Sequence, residues 1–198
     1  MATRGPDLVV GVEAVIDRLL NAARLDTATG RLSYVCASSD ELPFADGTFD
    51  GVLLNEVLEH VANESGTLSE IYRVLRPGGY LVVMSPNRWF PFEGHGMRLR
   101  GHTITVPVPF LPWLPATISQ PFLRARNYWP GQLRRIVAGA GFRIISSSAV
   151  LPVFQRFRWL PAFVVRWYRR AMPAIERMPI ARSFGVSTFV LAQKPLTS

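Results

Sequence analysis

Residues 42–50 of the chain read LPFADGTFD, and the segments VLEHV at 57–61 and RVLRPGG at 73–79 follow. The apolar run at 51–54 predicts a strand of a parallel sheet that is covered on both faces. Residues 56–75 then carry apolar side chains at helical spacing, which predicts a helix. The Pro-Gly-Gly triplet ends it, because proline cannot continue the hydrogen-bond ladder and glycine tolerates a positive φ.

The same alternation of strands and helices continues on both sides of this segment. Strands are predicted at residues 8–13, 32–36, 80–84, 142–146 and 187–195, and helices at 15–23 and 130–140. This order indicates an α/β fold, in which a parallel sheet has helices on both sides. Right-handed crossovers place the carboxyl ends of the strands along one rim, where open α/β sheets bind ligands. Polar residues at four strand ends are therefore expected at one site: Glu13, Ser38 to Asp40, Asn55, and residues 85–87.

Three motifs carry a family resemblance. LPFADGTFD, RVLRPGG and the closing STFVLAQKP at 187–195 resemble the second half of a class I S-adenosylmethionine-dependent methyltransferase. The resemblance implies a Rossmann-like fold with a mostly parallel sheet and an antiparallel last strand. It also implies S-adenosyl-L-methionine as cofactor and methyl transfer as the reaction, which requires proximity and orientation more than catalytic side chains.

One part of the family pattern is missing. Members begin with a strand and a glycine-rich turn, whose backbone approaches the cofactor closely. Nothing of this kind precedes residue 8, so the chain resembles a methyltransferase without its first βα unit. Met1 is then a misplaced start, or the chain is a degenerate product, or it is a non-catalytic relative that binds a partner. We expect two strand edges to be exposed, next to Val9 and Gly51, and cofactor affinity to suffer.

The resemblance assigns cofactor contacts to five residues. Glu13, at the end of the first strand, takes the ribose hydroxyls, because a carboxylate offers two oxygens to a diol. Ser38, Ser39 and Asp40 bracket the adenine, and Asn55 lies below the methionine portion. Ser38 stands where relatives commonly carry an aspartate that reads the adenine amino group.

A second motif leaves a metal site open. Glu56, Glu59 and His60 would share one face of the predicted helix, with spacings of three and four residues. The pattern is similar to the metal-binding motif of ubiquinone-biosynthetic O-methyltransferases and small-RNA 2′-O-methyltransferases, and such ligands suit a magnesium-type divalent ion. The same letters recur in relatives without a metal, and the interpretation without a metal is preferred.

His95 is the candidate catalytic base. It lies in FEGHG at 92–96, about ten residues beyond the strand at 80–84, where relatives place groups that face the substrate. An imidazole titrates near neutral pH and so suits a general base. The alternative is an exposed or structural histidine.

The chain is expected to form a single domain over residues 1–198, with two additions. Residues 86–127 form a lid or substrate segment, and the prolines at 107, 109, 112, 115 and 121 exclude a membrane-spanning helix there. Residues 150–182 form an insert rich in arginine and aromatic residues. This insert either packs against its own domain or a second subunit, as a homodimer contact, or lies peripherally at a membrane surface.

Charge is unevenly distributed along the chain. Residues 1–94 hold 7 basic and 13 acidic residues, whereas residues 95–198 hold 15 basic and 1 acidic. The basic half favours an anionic partner, and nucleic acid is unlikely among these because no recognised nucleic-acid-binding motif is present. Cys36 is the only cysteine and is expected to be buried in a strand; with no apolar leader at 1–7, this fits a cytoplasmic protein.

Together these features predict methyl transfer from S-adenosyl-L-methionine to a small-molecule acceptor. The proline-rich and aromatic lid and the basic insert favour a hydrophobic or lipid-linked acceptor. The alternative is a truncated or degenerate methyltransferase-like protein that binds a partner without turnover, which the missing glycine turn and Ser38 favour.

Overall fold

The computed structural model describes residues 8–25, 32–93, 96–99, 102–104, 108–119, 121–151, 162–178 and 183–196. Within these ranges the strands are β1 Val9–Glu13, β2 Leu32–Cys36, β3 Phe49–Asn55, β4 Leu75–Pro86, β5 Phe92–Glu93, β6 Met97–Leu99, β7 His102–Ile104, β8 Val108–Pro109, β9 Arg143–Val150 and β10 Ser187–Gln193. The helices are α1 Ile16–Leu25, α2 Glu64–Val74, α3 Ala116–Ser119, α4 Pro130–Gly139 and α5 Ala162–Arg177, with a 3-10 turn at Leu111–Trp113.

The main sheet of the described residues has the order β3-β4-β10-β9. β3 runs parallel to β4, and β10 runs antiparallel to both of its neighbours. An α/β fold with an antiparallel last strand is therefore confirmed. Because Ser187 pairs with both Pro86 and Val150, β10 begins at the edge where β4 and β9 end.

A second, two-stranded sheet stands apart from the main one. β1 and β2 pair in parallel, from Val9 opposite Leu32 to Glu13 opposite Cys36. Among the described strands, β1 pairs with β2 alone and β3 with β4 alone. Among the described residues, the two sheets are therefore not joined by any paired strands. Val9, Val12 and Leu53 are exposed along these strands.

The core lies between the main sheet and its two long helices. α2 contributes Leu68 and Ile71, α4 contributes Leu133 and Val137, and all four side chains are fully buried or nearly so. α2 begins where the Asn63 side chain accepts a hydrogen bond from the Gly66 N–H at 2.9 Å. Burial of these apolar faces, rather than helix propensity, holds the two helices in place.

The helix predicted over residues 56–75 is shorter than expected. α2 begins at Glu64, and residues 58–60 form a turn. Glu56 adopts the left-handed backbone conformation with φ 57°, which is incompatible with a continuous helix from that residue. The helix ends at Val74, within one residue of the predicted Leu75, but the Pro-Gly-Gly triplet lies inside β4, which begins at Leu75 instead of the predicted residue 80.

Two burial predictions were wrong. β3 was expected to be covered on both faces, but Leu53 is 62% exposed. Cys36 was expected to be buried and is exposed; its thiol hydrogen-bonds the Ala14 carbonyl at 3.7 Å. Both residues lie on strands that have a partner on one side only among the described residues, so less of the chain covers them.

Residues 88–127 contain short elements rather than one long one. β5 pairs with β8, and β6 pairs with β7, both antiparallel. The two ends of this segment lie side by side, because Asn87, directly before it, and Tyr128, directly after it, form a β-bridge. In the parts of the chain that the structure describes, every helix is too short or too polar to cross a membrane.

Candidate functional site

The main sheet presents one rim at which the candidate residues gather. β3 ends there at Asn55, which pairs with Met84, and β4 ends there at Pro86. β9 ends at the same edge and β10 starts from it. The connections 88–127 and 151–186 therefore both leave from this rim and return to it. The topology brings the predicted lid and the predicted insert to the carboxyl end of β3.

A hydrogen bond joins the smaller sheet to this rim. The Ser39 hydroxyl, in the loop after β2, lies 2.9 Å from the Thr67 hydroxyl in the first turns of α2. Because α2 begins at the rim, the carboxyl ends of β1 and β2 lie at the same edge as Asn55. Glu13, Ser39 and Asn55 are thus on one edge, as the strand order predicts.

Glu13 is held in a defined position at the end of β1. Its Oε1 accepts a hydrogen bond from the Val15 N–H at 3.0 Å. A carboxylate has four acceptor positions, so this bond leaves capacity for the two hydroxyls of a diol. Glu13 is half-buried at a strand end, and its carboxylate accepts hydrogen bonds, as a site for hydroxyl donors requires.

The loop over residues 38–40 is ordered by its own side chains. The Ser38 hydroxyl donates to the Asp40 carboxylate, and both residues are exposed. Ser39 is engaged with Thr67, which is fully buried. Ser39 therefore anchors the loop to α2, whereas Ser38 and Asp40 face solvent at the rim.

Immediately after Asn55 the chain turns back into the protein. The Glu56 N–H donates to the Met84 carbonyl at 2.9 Å, and the Glu56 carboxylate accepts from the Ser187 hydroxyl at 2.6 Å. These bonds explain the left-handed backbone at Glu56. Asn55 remains exposed at the tip of β3.

Glu59 lies beneath the rim as a buried carboxyl group. Only 2% of it is exposed, and the Ser85 hydroxyl donates to its Oε2 at 3.0 Å. Burial, reinforced by the negative charge of Glu56, raises the pKa of Glu59 to about 7. Glu56, Glu59, Ser85 and Ser187 form the group that we call the sub-rim cluster. It joins the loop after β3 to the carboxyl end of β4 and to the first residue of β10.

The shared helical face expected for Glu56, Glu59 and His60 is absent, because residues 56–60 precede α2. Glu56 points to β10, Glu59 to β4, and His60 is exposed. Among the described residues, no group of three His, Cys, Asp or Glu side chains is placed to hold a metal ion. The geometric premise of the metal motif was therefore wrong.

His95 lies outside the described residues. His102 is described, in β7, and it is exposed.

An exposed aromatic group at the rim was missed by the sequence analysis. Trp89 contacts Trp129 and Phe184, with ring centroids 5.1 and 5.6 Å apart. The Arg88 guanidinium lies 5.1 Å from the Trp129 ring centroid. Trp113 joins the group through its indole N–H, which donates to the Trp89 carbonyl at 3.3 Å. We call Trp89, Trp113, Trp129 and Phe184 the rim aromatic cluster.

Asn87 is the residue that assembles this cluster. Its side-chain amide donates to the carbonyls of Ser183 and Gly185 at 2.7 and 2.8 Å, and its Oδ1 accepts from the Trp89 N–H at 3.0 Å. The residue is buried, and it joins the ends of the two rim connections. The only sequence signal was an asparagine directly after a strand end.

A cavity of about 640 Å³ lies elsewhere, between the start of α2 and α4. Asn63, Glu64, Arg126, Arg135 and Ile136 are among its lining residues. The Arg126 guanidinium is paired there with Glu64 at 2.8 Å. None of the five expected cofactor residues lines this cavity.

Comparison with known proteins defines the class. The family model for a methyltransferase domain matches residues 1–83. An uncharacterized methyltransferase of Mycobacterium sp. (strain JLS) is 34% identical over 203 residues, covering 98% of this chain and 70% of that protein.

Solved structures share the fold. A putative methyltransferase in complex with the Haloferax volcanii Trm112 methyltransferase activator has a TM-score of 0.62 at 19% identity, covering 98% of this chain and 74% of its own. An S-adenosylmethionine-dependent methyltransferase from Mesorhizobium loti has a TM-score of 0.60 at 15% identity, covering 96% and 82%.

Fold, rim and relatives define an α/β protein of the methyltransferase class. The chain belongs to the family of S-adenosylmethionine-dependent methyltransferases, which confirms the resemblance seen in its sequence. S-adenosyl-L-methionine is the cofactor of the family.

Proposed function

We propose that the chain transfers a methyl group from S-adenosyl-L-methionine to a small, hydrophobic or lipid-linked acceptor. The rim aromatic cluster is the observation that carries the choice of acceptor. Trp89, Trp113, Trp129 and Phe184 are all partly exposed. Trp89 and Trp113 lie on the connection 88–127, Phe184 lies on the connection 151–186, and Trp129 directly precedes α4. Exposed aromatic groups at the edge of a site favour an apolar ligand.

The cofactor is assigned to the polar residues of the same rim. Glu13 binds the ribose hydroxyls, Ser38 and Asp40 bracket the adenine, and Ser39 fixes their loop to α2. Asn55 lies below the methionine portion. When bound, the cofactor supplies an electrophilic methyl group on a sulfonium. The protein's own contribution is to hold the two reactants in line and exclude water.

His95 is the proposed base for an acceptor that carries a proton. The proposal rests on its sequence position, about ten residues beyond the strand predicted at 80–84, since the residue lies outside the described ranges. His95→Gln should lower kcat and flatten its pH dependence near neutrality while leaving cofactor affinity within about twofold. An unchanged pH profile would remove His95 from the reaction.

The substrate is proposed to be a small molecule, and the protein is proposed to act in the cytoplasm. It either binds peripherally to a membrane surface or forms a homodimer. The relevant segment is residues 150–182, of which the structure describes residues 150–151 and 162–178, with α5 in the second range.

Calorimetric titration of the purified chain with S-adenosyl-L-methionine tests the cofactor site. We expect micromolar binding, and a loss of about 100-fold in Glu13→Ala, because two hydroxyl hydrogen bonds to a charged group disappear. Asp17→Ala is the matched control, since Asp17 is an exposed acidic residue of α1 and its loss changes the net charge equally.

The control should bind within about twofold of the parent chain, since surface charge alone contributes little. A folded chain that binds no cofactor would overturn the proposal for this polypeptide and support the binding protein without turnover. Equal losses in Glu13→Ala and Asp17→Ala would show that Glu13 makes no specific contact.

A further inference from the structure

The outer face of α5 carries aromatic side chains in solvent. Phe163 and Trp167 are 67% and 68% exposed, and Met178, just beyond the helix, is exposed as well. Phe163 and Trp167 are four residues apart and therefore lie one above the other on the same face. Contiguous exposed apolar side chains, unlike single ones, are typical of an interaction surface.

A line of arginines runs beside this aromatic strip. Arg166, Arg170 and Arg177 are all exposed, at spacings of four and seven residues, so they share one side of the helix. The opposite side carries Val164 and Tyr168, which are half-buried. The solvent side of α5 thus combines an apolar strip with an adjacent cationic strip.

The rim aromatic cluster repeats this chemistry at the end of the same connection. Phe184 belongs to that cluster and follows α5 by seven residues. Arg88, which stacks on Trp129, supplies a cation there. Both surfaces therefore pair exposed rings with guanidinium groups.

We propose that the outer face of α5, together with the rim aromatic cluster, docks on an anionic phospholipid bilayer. Aromatic rings insert at the level of the headgroups, and arginine side chains reach the phosphates from beside them. The described helices do not cross a membrane, so this contact lies in the plane of the interface.

Charge decides between a bilayer and a second copy of the chain. In a symmetric dimer whose twofold axis passes through the outer face of α5, the arginine strip would face an identical strip. Residues 95–198 hold one acidic residue, Glu176, against 15 basic ones. A self-contact here would therefore bring like charges together, whereas an anionic lipid surface neutralises them.

Docking would orient the rim, to which the methyl acceptor is assigned, towards the lipid. This consequence rests on the proposed function, because the connection that carries α5 starts and ends at the rim where the acceptor is assigned. Vesicle binding itself requires neither cofactor nor turnover. A failure of docking and a failure of methyl transfer can therefore be observed separately.

The test is co-sedimentation with vesicles of phosphatidylcholine containing one third phosphatidylglycerol, beside vesicles of phosphatidylcholine alone. The parent chain should bind the anionic vesicles and lose most of this binding in about 0.5 M salt, where charges are screened. Arg166→Gln with Arg170→Gln should weaken binding at least about tenfold, since each basic residue near the surface contributes to the attraction.

The aromatic strip is tested separately. Phe163→Ala with Trp167→Ala should weaken binding about tenfold at unchanged net charge, because apolar area is withdrawn from the interface. Trp89→Ala should weaken it about threefold through the rim aromatic cluster. Circular dichroism and urea unfolding of each variant establish that it is folded.

Arg134→Gln with Arg135→Gln is the matched control, because both arginines are exposed on α4 and the change in net charge is the same. Its binding should stay within about threefold of the parent chain. Equal weakening in the two arginine pairs would overturn the proposal, as would parent protein that ignores anionic vesicles.

Analytical ultracentrifugation tests whether a second copy of the chain binds to this surface, and titration with a short duplex DNA tests whether nucleic acid does. Variants of α5 that abolish a dimer, or that abolish DNA binding, while vesicle binding persists would also overturn the proposal.

Discussion

Replacing Glu59 by glutamine should stabilise the protein at alkaline pH and leave it unchanged at acidic pH. Glu59 is buried, and its pKa is about 7 instead of the ordinary 4.5, chiefly because burial disfavours its charged form. The folded state therefore binds this proton more tightly than the unfolded state. The stability that the proton contributes is complete below pH 4.5 and is lost as the pH rises through 7.

The size of the effect follows from the pKa difference. At 1.36 kcal/mol per pKa unit, the charged carboxylate costs at most about 3 kcal/mol of unfolding free energy at pH 8. Glutamine stays neutral and can still accept the hydrogen bond from Ser85. We expect Glu59→Gln to exceed the parent by about 2 kcal/mol at pH 8 and to match it within about 0.5 kcal/mol at pH 5.

Urea unfolding, followed by tryptophan fluorescence at pH 5, 6, 7 and 8, measures this difference. Glu41→Gln, at an exposed carboxyl group, is the control and should give a difference that does not vary with pH. If Glu59→Gln differed from the parent by the same amount at pH 5 and pH 8, the carboxyl group would not change its charge in this range. The argument from burial would then be wrong.

Two further substitutions test the contacts that hold α2 to its neighbours. Arg73 donates to the carbonyls of Leu42 and Phe44 at 3.0 and 2.7 Å and pairs with Glu70, whose pKa it lowers to about 2. Arg73→Lys cannot make all these bonds and should lower the unfolding free energy, measured by urea unfolding at pH 7; an unchanged value would show that the fork of hydrogen bonds contributes nothing. Lys194 donates to the carbonyls of Tyr72 and Leu75 at 2.7 and 2.8 Å, at the carboxyl end of α2. Lys194→Met should cost about 1–2 kcal/mol, and an unchanged melting temperature would show that water replaces the ammonium group there.

Local patterns were sufficient for most of the fold. The strand predicted at 32–36 is β2, and the helix predicted at 130–140 is α4 within one residue. These elements have uniform periodicity and clear stops, such as Gly141 with φ +95° after α4. Each of them could be recognised without knowing what it packs against.

The predicted helix start at residue 56 was wrong because the interactions that decide it are with residues distant in sequence. Glu56 is bonded to Ser187, which lies 131 residues away, and Glu59 to Ser85. These tertiary hydrogen bonds hold residues 56–60 in a turn despite their helical spacing. One local signal was present, because Asn63 is a good N-cap and marks the true start of α2.

The site was predictable to the extent that strand ends define it. The order of strands and helices alone predicted strands that end at Glu13 and at Asn55, and β1 and β3 end at these residues. The engagement of Ser39 with Thr67 was not predictable, since it depends on how β2 approaches α2. The rim aromatic cluster was also missed, because Trp89, Trp129 and Phe184 are far apart in sequence and share no motif.

The antiparallel direction of β10 explains why the two halves of the chain meet at one edge. If β10 ran parallel to β4, the connection after β9 would have to cross to the opposite edge before entering it. Because Ser187 instead pairs with Val150 and Pro86 at the rim, residues 151–186 start and end beside Asn55. The arginines of α5 are thereby attached to the same edge as the acidic half of the chain that carries Glu13. Through the direction of one strand, the acidic and the basic halves of the sequence are thus brought to a single rim.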